Sequence, residues 1–173
     1  MKNVVVTGVG IVSCIGSDTQ EVLNSLKKGK SGISTNPTYA DMGFRSHVSG
    51  AINLDLAELI DRKTLRFMSE ASGFGYIAAQ EAINHASLNL EEMDVSRIGI
   101  VAGSGGASSA AQIEASDTAR ERGPKRIGPY AVTKTMGSTV SAILGTTLKL
   151  KGVNYSISSA CSLALTVLAM QQN

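Results

Sequence analysis

Short apolar runs alternate with polar and glycine-rich segments along the chain, and their spacing predicts three strands. Val4-Val5-Val6 and "RIGIVAG" (97–103) are apolar runs of the length found in buried strands. In "GVNYSIS" (152–158) apolar and polar residues alternate, which predicts a strand with one apolar face and one polar face. The apolar face would carry Val153, Tyr155 and Ile157, and the polar face would carry Asn154, Ser156 and Ser158.

The segments between these strands have helical periodicity. Ser17-Asp18 offers a cap for a helix in "TQEVLNSLKKGK", which Gly29 would end. From Asp61 to about Ala86 apolar residues recur with the spacing of a helix, which predicts one long helix. Its apolar stripe would consist of Phe67, Ala71, Phe74, Ala78 and Ala82.

Two further helices are predicted over residues 108–121 and from Tyr130, on either side of the loop "RGPKRIGPY". Residues 30–60 mix Pro37 and several glycines with short apolar runs, so no element is assigned to them. Strands separated by helices indicate an α/β fold built in layers.

The composition is that of a globular protein. The chain has 173 residues, of which 43% are hydrophobic and 17% charged, enough for one domain or a substantial part of a larger one. Aromatic residues make up only 4% and Trp is absent, so aliphatic residues and glycine must form the core. The net charge of +2 is too small to indicate nucleic acid as a partner.

Two features of the sequence bear on its location. No stretch approaches the roughly 18 apolar residues of a membrane span, and the N-terminal apolar run is interrupted by Gly8 and Gly10 and lacks a signal-peptide cleavage site. The two cysteines, Cys14 and Cys161, suggest neither a disulfide framework nor a metal site, which suits a reducing compartment. We therefore expect a cytoplasmic protein that contacts no membrane and binds no metal.

Two glycine-rich segments follow predicted strands, and each has a ligand-binding and a structural interpretation. "VVVTGVGIV" resembles the start of a dinucleotide-binding loop, but Ser13 replaces the third glycine and no acidic residue ends a second strand about 20 residues later. A tight turn between strand and helix is the favoured interpretation. "GSGGASS" (103–109) fits either an anion-binding loop or a close approach of two elements, and the structural interpretation is again favoured. No cofactor is expected.

Cys161 follows the third predicted strand and precedes "SLALTVLAM", which can form a buried helix. The small residues Ser158-Ser159-Ala160 permit a sharp turn between the two elements. At a helix N-terminus the helix dipole favours a thiolate, and a backbone N–H would face an oxyanion that forms beside the sulfur. A nucleophile and a small packed core residue are both open interpretations of Cys161. Cys14 lies at no such junction, so we expect it to serve packing.

The other candidate residues are basic. Neither His47 nor His85 completes a catalytic pair by its place in the sequence, and His85 would cap or pack at the end of the long helix. Arg62, Lys63 and Arg66 lie along one side of a helix start, where the helix dipole does not stabilise cations. Such charges usually form a solvated face, but their position against the dipole suggests an acidic partner.

Seven segments together resemble the β-ketoacyl-acyl carrier protein synthases, which are condensing enzymes of the thiolase superfamily, and among these the type I bacterial form. In chain order the segments are "VVVTGVGIVSCIG", "GKSGI", "RSHVSG", "DRKTLRFMSEAS", "GIVAGSGG", "GPYAVTKTM" and "GVNYSISSAC". They run almost continuously from Met1 to Cys161. The resemblance implies the N-terminal half of a layered α/β thiolase-like fold.

The resemblance also implies decarboxylative Claisen condensation in fatty acid biosynthesis. Cys161 matches the family's nucleophile, which takes an acyl group from a carrier thioester, and its own backbone N–H would hold the carbonyl oxygen. Malonyl-carrier then loses carbon dioxide and attacks the acyl-enzyme.

The resemblance assigns roles to seven further residues. Arg62, Lys63 and Arg66 match a patch that docks acidic acyl carrier protein, and Arg122 and Lys125 match a second one. Gly105 and Met136 resemble positions near the family's acyl pocket, which Met136 reaches across a homodimer.

The sequence departs from the family pattern in two ways. The family uses two histidines, a lysine and a second oxyanion-hole N–H from its C-terminal half, and none of these lies in this chain. After Cys161, "LTVLAMQQN" is not the usual continuation, but it can be encoded so that another frame gives His-Cys-Ile-Gly-Asn-Ala-Ala-Glu, which resembles it. We therefore expect a domain over 1–173 that a frameshift truncates just after the nucleophile, with no useful condensation by this chain alone.

Two alternatives differ in class from a condensing enzyme. One is a non-catalytic fragment that docks acyl carrier protein or dimerises with an intact synthase. The other is a dinucleotide-binding protein, which the missing third glycine disfavours.

Overall fold

The structure, a computed structural model of the chain, describes residues 4–105 and 108–159. The helices are α1 (Thr19–Lys27), α2 (Pro37–Asp41), α3 (Leu56–Leu59), α4 (Arg62–Leu65), α5 (Glu70–His85), α6 (Ser109–Arg122), α7 (Ala131–Thr135) and α8 (Thr139–Thr147). The strands are β1 (Ser34–Thr35), β2 (Val48–Ser49), β3 (Ile100–Gly103) and β4 (Asn154–Ile157), and short 3-10 turns cover Val95–Arg97 and Pro124–Arg126.

The described residues fall into two compact units. The first unit contains residues 4–6, 56–76, 88–105 and 108–159, and the second contains residues 7–55 and 77–87. No helix within these residues is long and apolar enough to cross a membrane.

The first unit is built on the parallel strands β3 and β4, with Ile100 beside Asn154 and Gly103 beside Ile157. Helices α6, α7 and α8 connect the strands, and α8 lies against both of them. Parallel strands require such a crossover connection, and the result is a helical layer on a sheet. The strands predicted within 97–103 and 152–158 and the helices predicted over 108–121 and from Tyr130 are confirmed.

Strand β4 has the predicted polar face, and this face lies against α8. Asn154 Nδ2 donates to the backbone carbonyl of Ser141 at 3.1 Å, and Ser156 Oγ donates to Ser141 Oγ at 2.8 Å. On the apolar side, Val153 is 68% exposed. Hydrogen bonds to the buried Ser141 therefore hold β4 against α8, although a strand and a helix usually pack through apolar side chains.

The single helix predicted from Asp61 to about Ala86 is wrong, because α4 ends at Leu65 and α5 begins at Glu70. The Ser72 hydroxyl accounts for the break. It accepts the backbone N–H of Ser69 at 2.8 Å and donates to the Ser69 carbonyl at 2.9 Å. A side chain in the first helical turn that bonds back to the N–H of the capping residue is one half of a capping box, which starts a new helix.

The strand predicted at Val4-Val5-Val6 is also wrong. These side chains are 60%, 73% and 79% exposed, and none of the described strands pairs with this segment. An apolar run forms a strand only where a neighbouring strand takes up its backbone hydrogen bonds.

In the second unit the loop that contains Gly8 and Gly10 packs directly on α5. A Cβ atom at Gly8 would collide with the carbonyl oxygen of Ala82, and one at Gly10 would collide with that of Ala78. The two glycines therefore permit contact between a loop backbone and a helix backbone. The tight turn predicted ahead of the helix lies just after this segment, where the backbones of Ser13 and Gly16 exchange hydrogen bonds at 2.9 and 3.3 Å.

Glu81 of α5 fixes the same loop and the start of α1. One carboxylate oxygen accepts the backbone N–H of Ile11 at 2.8 Å, and the other accepts that of Thr19 at 2.7 Å. Burial raises the pKa of Glu81, but the hydrogen bonds from Thr19 and Ile11 and the charge of His85 lower it, and the net direction is down. The ionised carboxylate thus stabilises the fold of the second unit.

Other predictions for the second unit are confirmed. Helix α1 follows its Asp18 cap and ends before Gly29, whose φ of 60° suits glycine. His85 packs at the end of α5, where its Nδ1 lies 3.1 Å from the backbone nitrogen of Val9. Residues 30–60, to which no element was assigned, contain the antiparallel pair of β1 and β2 and the short helices α2 and α3.

We predict that Gly10→Ala destabilises the chain by about 1–3 kcal/mol, because the added methyl group overpacks the contact with α5. Gly137→Ala is the matched control, since no atom lies within 4 Å of a Cβ built there. Chemical denaturation of both variants measures the effect, and equal stability of the two would contradict the close approach.

We predict that Glu81→Gln lowers the free energy of unfolding at neutral pH by about 1–2 kcal/mol. The variant loses a charge-assisted hydrogen bond, and the backbone N–H that made this bond then faces the NH2 group of the glutamine side chain. The folded-state pKa of Glu81 is lowered. Its contribution is therefore present above the unfolded-state pKa of about 4.3 and is lost as the pH falls through the folded-state value.

Denaturation from pH 7 to pH 3 should accordingly bring the stabilities of wild type and Glu81→Gln together at the acidic end. Glu114→Gln, the same change at an exposed position of α6, is the control. A difference between wild type and Glu81→Gln that does not vary with pH would exclude a charged carboxylate at this position.

Candidate functional site

A single-turn helix presents two of the predicted basic residues. Asp61 caps α4, and its Oδ1 accepts the backbone N–H groups of Lys63 at 2.9 Å and Thr64 at 3.1 Å. Hydrogen bonds from the side chain and then the backbone of Thr64 hold the pKa of Asp61 below its ordinary value. The ionised cap keeps Arg62 and Lys63 on an exposed turn.

Arg66 follows α4 and is exposed, but its guanidinium group is held in place. Nε donates to the Lys63 carbonyl at 3.1 Å, and Nη1 donates to the hydroxyl of Tyr130 at 3.2 Å. The central guanidinium carbon lies 5.9 Å from the ring centre of Phe67 and 5.8 Å from that of Tyr130. The two rings meet edge to face at 4.8 Å, so Arg66 and the rings form one cluster.

A groove of about 360 Å³ lies beside this cluster in the first unit. Lys63 is the one charged residue among the described residues that line it. The lining includes Lys63, Phe67, Thr133, Met136, Thr139 and Ile143. Since Phe67 belongs both to this lining and to the cluster with Arg66, the groove and the basic residues form one continuous candidate site.

The groove is apolar although threonines line it, because the hydroxyl groups of three of them bond to the backbone. Thr133 Oγ1 donates to the Tyr130 carbonyl at 2.8 Å, and Thr139 Oγ1 donates to the Thr133 carbonyl at 2.6 Å. Thr147 Oγ1 donates to the Ile143 carbonyl at 2.7 Å. The threonine methyl groups are left to line the groove, which suits a ligand with an apolar chain.

The remaining predicted site residues lie at other places. Gly105 adjoins the undescribed residues 106 and 107, and no atom of the described residues lies within 4 Å of a Cβ built there. Arg122 ends α6 and Lys125 lies in the 3-10 turn that follows, and both are exposed. The structure therefore brings Lys63 and Met136 together at the groove but does not bring Gly105, Arg122 or Lys125 to its lining.

Cys161 lies outside the described residues. Strand β4, which leads towards it in the sequence, ends at Ile157 beside Gly103 of β3. Cys14 is described, and its sulfur lies 3.0 Å from a Cβ built at Gly50, as expected for a cysteine that packs against a backbone. Within the described part of the chain no group of His, Cys, Asp and Glu residues could hold a metal ion.

Tyr130 and Phe67 are site residues that the sequence did not reveal as such. Tyr130 precedes α7, and with Ile127 it also lines a smaller cavity of about 120 Å³ against α6. Tyr130 therefore contacts Arg66 on one side and lines this cavity on another. Aromatic residues are rare in this sequence, which has 4 Tyr and 3 Phe residues, and this rarity was a signal that could have identified both Tyr130 and Phe67 as candidates.

The chain matches a known protein family along its whole length. The family described as "Beta-ketoacyl synthase, N-terminal domain" matches residues 1–173. The chain belongs to this family. The family's N-terminal domain thus accounts for the order of all seven segments that carry the resemblance.

Curated relatives agree with this assignment. The chain is 51% identical to 3-oxoacyl-(acyl-carrier-protein) synthase 1 of Haemophilus influenzae over 163 residues, and 51% identical to the synthase 1 of Escherichia coli K12 over 164 residues. Each alignment covers 94% of this chain and 40% of the relative. The chain therefore spans about two fifths of the length of these curated relatives.

Solved structures of the family confirm the fold. A beta-ketoacyl synthase from Burkholderia phymatum has a TM-score of 0.83 at 20% identity, with 98% of this chain and 42% of that chain covered. A ketosynthase of a type II PKS, solved in complex with its acyl-carrier protein, has a TM-score of 0.77 at 20% identity, with coverages of 98% and 45%. The layered α/β, thiolase-like fold predicted for an N-terminal half is confirmed.

Proposed function

We propose that the chain carries the acyl-accepting part of a β-ketoacyl-acyl carrier protein synthase of fatty acid biosynthesis. The match of the family's N-terminal domain over residues 1–173, which include Cys161, is the observation that carries this proposal. The Cys161 thiolate attacks the carbonyl carbon of an acyl thioester, the carrier thiol leaves with a proton, and a new thioester forms on the protein. Malonyl-carrier protein then loses carbon dioxide, and its carbanion attacks this thioester and frees the cysteine.

Acyl carrier protein is the proposed partner, and the exposed surface of Arg62, Lys63 and Arg66 is its proposed docking site. The names of the curated relatives contain this carrier, and one structural relative is a ketosynthase in complex with its acyl-carrier protein. An acidic protein surface would be attracted by these three cations, with Arg122 and Lys125 as a second contact.

The groove is the proposed site for the apolar part of the acyl group. Its lining includes Met136 and is apolar, while Lys63 joins it to the basic surface. The open space beside Gly105 would leave further room for the substrate. We further propose that the intact protein is a cytoplasmic homodimer in which Met136 reaches the partner subunit.

The first test of this proposal is acyl transfer to the 173-residue chain from an acyl-carrier protein. We expect the acyl mass on the peptide that contains Cys161, since a thiolate alone is nucleophilic. Cys14→Ala should retain this modification, and Cys161→Ala should lose it. Intact mass and peptide mapping make the measurement.

An acyl group found on Cys14, or retained in Cys161→Ala, would overturn the assignment of the nucleophile. Carrier binding without any acyl transfer would instead favour the non-catalytic docking fragment.

A second test addresses the docking surface. We expect the double variant Arg62→Glu and Lys63→Glu to weaken carrier binding by roughly tenfold, since each exposed pair contributes about 0.2–1 kcal/mol and reversal turns attraction into repulsion. Wild-type affinity should fall as the salt concentration rises. Fluorescence anisotropy with labelled carrier protein measures both effects.

The control variant combines Lys27→Glu and Lys28→Glu, which produce the same change in net charge at the end of α1. Equal weakening by both double variants would indicate a general charge effect, and salt-independent affinity would rule out docking by the basic surface.

A further inference from the structure

Arg66 differs from its basic neighbours because its guanidinium group already has partners within the chain. Two of its N–H groups donate to the Lys63 carbonyl and the Tyr130 hydroxyl, and its face lies near the rings of Phe67 and Tyr130. No such contact to Arg62 is found among the described residues. An arginine has more N–H donors than these two bonds use, so Arg66 retains donors for an external carboxylate.

Both rings that Arg66 contacts are connected to the groove. Phe67 lines the groove directly. Tyr130 immediately precedes α7, its carbonyl accepts the hydroxyl of Thr133, and Met136 directly follows α7. Thr133 and Met136 also belong to the groove lining, so the position of the two rings bears on the shape of the groove.

We propose that Arg66 couples the basic surface to the apolar groove, as the positioning residue for Phe67 and Tyr130. The proposal rests on the proposed function, in which acyl carrier protein binds this surface and the groove receives an acyl chain. A carboxylate of the carrier that binds Arg66 changes the orientation of the guanidinium plane, and the two rings that lie near it follow. Binding of the carrier to the basic surface therefore changes the position of residues that line the groove.

The geometry of the guanidinium group explains why an arginine is required. A carboxylate binds it in the plane through two parallel N–H bonds, while an aromatic ring packs on its face. One side chain can therefore contact the carrier and the rings at the same time. A lysine at position 66 would keep the positive charge but would lose the planar group that connects the two.

NMR of the methionine methyl groups tests this coupling, because Met136 lines the groove. The chain is labelled with methyl-13C methionine, and the Met136 signal is assigned from Met136→Leu. Unacylated bacterial acyl carrier protein is then titrated into wild type, Arg66→Lys, Tyr130→Phe and Arg62→Lys. Arg62→Lys is the matched control, since it makes the same chemical change on the same surface away from the rings.

We expect the carrier to shift the Met136 signal in wild type and in Arg62→Lys. The shift should be lost in Arg66→Lys and reduced in Tyr130→Phe, although both variants keep the charge of the surface. An undiminished shift in Arg66→Lys at saturating carrier would overturn the proposal, as would carrier binding that leaves Met136 unmoved in wild type.

If the carrier does not bind wild type, the proposed docking function fails, and the spectra without carrier decide on Arg66. A Met136 signal displaced in Arg66→Lys and Tyr130→Phe but not in Arg62→Lys would support the positioning role. An identical Met136 signal in all of these proteins would overturn it.

Discussion

Direct approach of one backbone to another is the constraint on which the packing of this chain depends. With 4% aromatic residues and no Trp, the chain has few large side chains to fill the space between its elements. Gly10 therefore touches the Ala78 carbonyl, and Gly145 leaves room for the Asn154 carboxamide, which donates to the Ser141 backbone. A side chain at position 10 would collide with the helix, and one at position 145 would displace the Asn154 side chain and its hydrogen bond. The absence of a side chain at these two glycines therefore stabilises the fold.

The same shortage of large side chains shapes the groove. Thr133 and Thr139 contribute to an apolar surface because backbone carbonyls accept their hydroxyl groups. Two of the chain's seven aromatic residues, Phe67 and Tyr130, meet edge to face beside the groove. A polar composition is thus compatible with an apolar site, provided that each hydroxyl has an acceptor within its own segment.

Local patterns were sufficient to predict the elements that local chemistry determines. The Asp18 cap of α1 and the alternation of β4 are signals within a few residues, and the structure confirms them. The break before α5 was not predicted, because the Ser72 hydroxyl starts a new helix although the apolar stripe is continuous. The strand at Val4 did not form, because none of the described strands pairs with that segment. At the site, the basic residues and Met136 were recognised individually, but the cluster of Arg66 with Tyr130 joins residues far apart in the sequence, which no local pattern reveals.

The exposed basic surface and the apolar groove are distinct features of the first unit, and Lys63 connects them. It is exposed beside Arg62, and it is also the charged residue in the lining of the groove. Under the proposed function the substrate has two parts of opposite character, an acidic carrier and an apolar acyl chain. A site for both parts requires cations at the edge of an apolar surface. A cation deep within the groove would lose its hydration shell and gain no counter-ion in return, which is unfavourable. Lys63 lies on a single capped turn, and Phe67 lies one turn further along the chain. These five consecutive residues therefore provide both a cation at the edge and an apolar surface.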